Sequence, residues 1–232
     1  MILLAIDTST NRAALALARP GSPARSSPPD PAARHGRGLI PAVAALLAAE
    51  GLAVADLGAV AVGLGPGSYT GLRIGLTAAK CLAFAAGRPL IALDSMEAIA
   101  RNAPADRRRV AVAVDAQKGD AYVAEFVRDA PDAPLRRVAA TRVEAVEGWA
   151  AGLEPGTLVL GPGLDRLLAS PPGSIEVGTP EMGLPDPETL VQLAREAVEA
   201  GRFADPFFLE PVYIRKSAAE EQWDRLGEGK AR

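Results

Sequence analysis

The chain carries one pattern twice, and that repetition limits what it can fold into. An apolar run from Met1 stops at Asp7, and a second, Val110 to Val114, stops at Asp115. A short apolar run closed by a polar residue is the mark of a buried strand. Each run leads through a polar turn into another strand-like stretch, residues 13–18 in the first half and the alternating Tyr122, Ala124 and Phe126 in the second. Two hairpins are therefore predicted, the second pivoting on Gly119. Later in each half a strand runs into Gly-Pro-Gly, at Gly65-Pro66-Gly67 and at Gly161-Pro162-Gly163. The repeat predicts two similarly built α/β lobes, 1–104 and 105–232, each a mixed sheet opened by a hairpin and covered by helices.

Between the strands the apolar spacing turns helical. Leu39, Ile40, Val43, Leu46 and Leu47 mark one helix, with Gly51 as its stop. The pattern from Leu72 to Ala86 marks a second, ended by Gly87 and Pro89. Ser95 is placed to cap a short third helix, and residues 189–201 form a further one. Residues 19–34, rich in Pro, Ser and Arg, predict a loop.

Composition narrows the function. The net charge of −3 gives no bulk basic face for nucleic acid. The local runs Arg107-Arg108-Arg109 and Arg136-Arg137 read as solvated loops. A single cysteine, Cys81, forbids an internal disulfide; its Ala-rich helix predicts a buried thiol, and the composition suits a reducing cytoplasm. The N-terminal apolar run is too short for a signal-peptide core or a membrane span. His35 is the only histidine, so no His-pair metal site can form and no metal or other cofactor is expected.

The residues with the chemistry of a nucleotide cleft are Asp7, Thr8, Ser9, Gly65, Gly67, Ser68 and Asp115. A carboxylate at the end of a first strand can position a metal-bound water or a phosphate, and a glycine turn before a helix can cradle one. The same residues can also simply end strands and cap helices. The glycine turn lacks the Gly-Lys-Ser/Thr ending of a P-loop. For the glycine turn the structural role is therefore preferred, while on the residues alone the two carboxylates keep both readings.

Four stretches together resemble the TsaB (YeaZ) family: Ile6-Asp7-Thr8-Ser9-Thr10, Gly65-Pro66-Gly67-Ser68-Tyr69-Thr70-Gly71-Leu72-Arg73-Ile74-Gly75, Asp115-Ala116-Gln117-Lys118-Gly119-Asp120-Ala121-Tyr122 and Pro211-Val212-Tyr213-Ile214-Arg215. The resemblance implies the two-lobed fold of the acetate kinase, sugar kinase, Hsp70 and actin (ribonuclease H-like) superfamily. It also implies a non-catalytic scaffold in the complex that makes threonylcarbamoyladenosine beside the anticodon of tRNAs reading codons that start with A, so that the cleft is expected to be vestigial, Asp7 and Asp115 are expected to be structural, and no catalytic residues are expected. There the catalytic subunit is the paralogue TsaD, TsaE is an ATPase, and tRNA is met through the complex. TsaD holds its metal with two histidines, a pair that His35 alone cannot make. The run Arg34-His35-Gly36-Arg37-Gly38 departs from the polar entry to the first helix that is common in the family.

The helix over 72–86 is apolar on two faces, Leu72, Leu76, Ala79 and Ala83 on one and Ile74, Ala78, Cys81, Leu82 and Ala85 on the other. Such a helix is deeply buried or covered by a partner. The resemblance favours a partner, with the 39–47 helix beside it. The expected interface is Leu39, Val43, Leu46, Leu47, Leu72, Leu76, Ala79 and Ala83, meeting TsaD or, without TsaD, a second copy. A competing class is a small ATPase or kinase of the same superfamily using Asp7 and Asp115. A metalloprotease is discounted, since no His-Glu-x-x-His is present.

Overall fold

The computed structural model describes residues 1–27, 38–131, 133–215 and 223; His35 and most of the run around it lie outside these. In the first lobe, β1 (Leu3–Asp7) pairs antiparallel with β2 (Ala14–Ala18) and parallel with β4 (Ala59–Gly63). β3 (Arg25–Ser26) and β5 (Leu90–Leu93) complete a five-stranded mixed sheet in the order β3-β2-β1-β4-β5. β3 is a short edge strand inside the stretch read as a loop.

Strand alternation divides this core in two. Leu4, Ile6, Val60 and Val62 face α1 (Leu39–Ala49) and α2 (Tyr69–Ala86). Leu3, Ala5, Ala16 and Ala61 face α6 (Pro187–Glu199), whose Leu190, Ala194 and Ala197 pack against that small-residue surface. The alanines let the helix come close to the strands. Asp186 caps α6 by accepting from the Thr189 N–H at 3.0 Å. Thus α6, numbered in the second half, covers the first sheet and crosses the boundary drawn at 104/105.

In the second lobe, β6 (Arg109–Asp115) and β7 (Asp120–Val127) form the expected hairpin. β8 (Arg136–Arg137) and β9 (Arg142–Ala145) both pair with β7, while β10 (Leu158–Leu160) and β11 (Glu176–Val177) extend the other side. One face of this sheet carries α4 (Val146–Ala151), with Trp149, and α5 (Leu164–Leu167). The other face carries Val110, Val112 and Phe126, which receive Met96 and Ile99 of α3 (Ser95–Ala100). Ala98 of the same helix packs with the first sheet and α6. α3 is therefore held between the two sheets.

Three local expectations are revised. α2 begins at Tyr69, one turn inside the stretch read as glycine turn, because Ser68 caps it by accepting from the Gly71 N–H at 3.2 Å. α3 is capped by Asp94, which takes the Met96 and Glu97 N–H groups, so Ser95 is free for another role. Cys81 is exposed, because it lies on the stripe of α2 that turns away from the sheet.

Candidate functional site

The first-half cleft residues come together around a buried Asp7. Asp7 ends β1 with its side chain wholly buried. Its Oδ1 accepts from the Ser9 N–H at 2.8 Å, and its Oδ2 accepts from the Ser95 hydroxyl at 2.6 Å. Ser95 in turn accepts from the Gly65 N–H at 2.9 Å. Burial pushes the Asp7 carboxyl above the usual aspartate range, against the opposing pull of the Ser9 and Ser95 hydrogen bonds.

The glycine turn lies directly on the Asp7–Ser9 turn. The Ser68 N–H donates to the Ser9 carbonyl at 2.7 Å, and the Thr8 hydroxyl donates to the Gly71 carbonyl at 2.7 Å. A Cβ on Gly63 would stand 1.9 Å from Asp7 Oδ2, and one on Gly67 would stand 2.2 Å from the Ser9 oxygen. At Gly71 and Gly75 it would stand 2.1 Å from Thr8 oxygens. These glycines are required by close approach of one segment to another. The two turns are thus in direct contact.

Asp115 is in a different setting. Its side chain is exposed, with Oδ1 accepting from the Gln117 N–H at 2.6 Å. The turn that follows holds Gln117, Lys118 and Gly119 at positive φ, an arrangement that Gly119 alone adopts freely.

The motif near the end of the chain joins the lobes. The Val212 N–H donates to the Leu64 carbonyl at 2.9 Å, beside the glycine turn. Tyr213 and Tyr69 lie with ring centroids 5.0 Å apart, and the Arg73 guanidinium sits 4.1 Å from the Tyr69 ring centre. Arg73 donates to the Tyr213 hydroxyl at 3.0 Å and also to Tyr69. Two residues on, Arg215 reaches the second lobe, donating to the Ala116 carbonyl at 2.9 Å and pairing with Asp120 at 3.1 Å. Three of the four motifs thus meet in this strap, and the fourth lies under the glycine turn. In the sequence Tyr69, Arg73, Tyr213 and Arg215 stand only as members of their motifs, with no signal that they meet, and Ser95 has the position of a cap.

The eight residues expected to meet a partner are all buried. Leu39, Val43, Leu46 and Leu47 of α1, and Leu76, Ala79 and Ala83 of α2, pack toward the chain's own first sheet, while Leu72 is buried against Gly65 of the glycine turn. They sit there because the sheet takes the more apolar face of each helix. The outer faces differ. α1 presents Ile40, Pro41, Ala44, Ala45, Ala48 and Ala49 to solvent, with no charged or polar side chain. α2 presents Arg73, Thr77, Cys81 and Phe84, the last 88% exposed.

The Asp7 network gives a test. Ser95→Ala leaves the Gly65 N–H and an oxygen of Asp7 without their buried partner, and should cost about 1–3 kcal/mol. Because the native Asp7 pKa is raised above 3.8, protonation favours the folded state, and stability from this group falls as pH rises through the native value. The stability of Asp7→Asn relative to the parent should therefore improve as pH rises from 3.8 toward neutrality. Urea titrations across that range measure it, and a flat difference would mean that Asp7 titrates normally.

The family model for TsaD, tRNA N6-adenosine threonylcarbamoyltransferase, matches residues 27–151. The tRNA threonylcarbamoyladenosine biosynthesis protein TsaB of Escherichia coli strain K12 is 31% identical over 249 residues, covering 97% of this chain and 98% of its own. Its counterpart in Bacillus subtilis strain 168 is 32% identical over 232 residues, covering 96% and 98%. The solved structure of YeaZ from Pseudomonas aeruginosa aligns with a TM-score of 0.78 at 30% identity, covering 91% of this chain and 99% of that one.

Proposed function

The chain belongs to the TsaB family, and from that premise we propose that it is a non-catalytic scaffold in making threonylcarbamoyladenosine on tRNA. In this reading it pairs with a TsaD subunit, supports TsaE, and meets tRNA through the assembly. The observation that carries the non-catalytic part is the sealed Asp7. A carboxylate that is buried, hydrogen-bonded at both oxygens and covered by Gly63 has no line of approach to a phosphate or a metal-bound water.

The partner contact is assigned to the outer faces of α1 and α2. The outer face of α1 is an uncharged run of small residues and that of α2 carries an exposed phenylalanine, and both suit helix-to-helix packing. A second copy of the chain would use the same faces when TsaD is missing.

The isolated chain should hydrolyse ATP no faster than a protein-free blank, with or without magnesium. A coupled phosphate-release assay measures this. Turnover well above the blank that disappears in Asp115→Asn, with the melt unchanged, would instead support the ATPase or kinase reading.

A further inference from the structure

At the end of the second sheet away from the strap, the β6 and β7 termini border an open cleft of about 540 Å³. It is lined by Arg107, Arg108, Arg109 and Arg128, with Asp106 and Asp129 also in its wall. The first three arginines are consecutive in the sequence, and Arg128 comes from the far side of the hairpin. The backbone brings them together, since the Arg128 N–H donates to the Arg108 carbonyl at 2.9 Å.

The four are not equivalent. Arg107 pairs with Glu176 at 2.7 Å, and Arg109 pairs with Glu154 at 2.7 Å. Arg108 is exposed, and its side chain donates to the Asp129 backbone carbonyl at 3.4 Å. Arg128 is only 8% exposed. Its Nη1 donates to the Ala105 carbonyl at 3.2 Å, its Nε is sealed without an acceptor, and no carboxylate among the described residues pairs with it. A guanidinium withdrawn from water without a counter-ion is costly to keep. With Nε sealed and Nη1 on a carbonyl, Nη2 is the Arg128 donor left for a ligand in the cleft that it lines, beside the exposed Arg108 guanidinium; such a pair can receive an oxyanion, since guanidinium donors match phosphate oxygens.

We propose that this cleft binds a phosphate group, with Arg108 and Arg128 as its direct ligands and Arg107 and Arg109 as flanking charge. The phosphate belongs either to an RNA backbone or to a free phosphate compound. Both present the same oxygens, and both fit a cleft whose wall holds four arginines against two aspartates. The site is separate from the α1 and α2 faces, so loss of phosphate binding and loss of partner binding are distinguishable results.

The test uses the full chain and two probes, a fluorescein-labelled oligouridylate read by anisotropy and inorganic pyrophosphate read by calorimetry. The parent should bind at least one of them, with affinity falling as salt rises. Arg108→Glu, at an exposed position, should weaken that binding by about tenfold or more while leaving the melt unchanged. Arg128→Met should weaken it as strongly; if that variant fails to fold, Arg108→Glu alone decides. Oligouridylate binding that pyrophosphate displaces assigns the site to an RNA backbone, and pyrophosphate binding alone assigns it to a free phosphate compound. Binding of neither probe by the parent, or parent-like affinity in Arg108→Glu, would overturn the proposal.

Discussion

Glutamate in place of Ala79 should leave the chain unable to fold. Ala79 is fully buried between α2 and the first sheet, among Leu76, Ala83 and the strand side chains Val60 and Val62. A carboxylate there would have no partner, and its added bulk would meet a packed sheet. An unpaired buried charge costs several kcal/mol and overpacking about 1–3 more. Against a total stability of about 5–15 kcal/mol, the sum removes most or all of the margin. Val43→Glu, at a position only 2% exposed, should behave alike. Circular dichroism and thermal melts measure both. A cooperative melt near that of the parent would show that these helix faces do not pack on their own sheet.

The opposite result is expected one turn along the same helix. Phe84→Glu changes a residue that touches solvent, so its melt should match the parent. Binding to a TsaD partner should nevertheless fall, because a large exposed aromatic is the natural anchor of a helical interface. Truncating such an anchor costs about 2 kcal/mol or more, roughly thirtyfold in affinity, and a charge costs at least as much. Ala48→Glu, on the outer face of α1, should add to the loss. Calorimetric titration against TsaD reads both. If the double variant is folded and still binds as the parent does, the partner lies on another face.

This pair of experiments also marks where sequence reading stops. Periodicity finds both helices, but α2 is apolar on two sides, and spacing alone does not say which side the sheet takes. The strands decide it, since Leu4, Ile6, Val60 and Val62 meet α2 in space from distant parts of the chain. Cys81, in an Ala-rich helix that predicts burial, is exposed for the same reason. The doubled strand-and-turn pattern was legible because hairpins and strand-to-helix turns are local. Ser95 was not, because Asp94 took the cap and left the hydroxyl to meet Asp7, 88 positions away in the chain. Arg128 was likewise invisible, since nothing near it in sequence shows that it joins Arg108 across a hairpin.

The helix α3 has a consequence for how the molecule can move. Enzymes with two lobes around a cleft commonly work as jaws, closing over a ligand by rotation about a hinge. Here Met96 and Ile99 are anchored in one half while Ala98 is anchored in the other. Arg137 of the second half pairs with Asp94 at the start of the same helix. Nearby, the Asn102 side chain donates to the Met182 and Leu184 carbonyls at 2.9 and 2.7 Å. On the other side, Arg215 fastens the strap to the β6–β7 turn. Rotation of one half against the other would have to break packed apolar contacts and several charged ties at once. The chain is built as a strut rather than a jaw. Whatever grips the outer faces of α1 and α2 also fixes the bearing of the arginine cleft at the distant end, as a bracket sets the angle of the arm bolted to it.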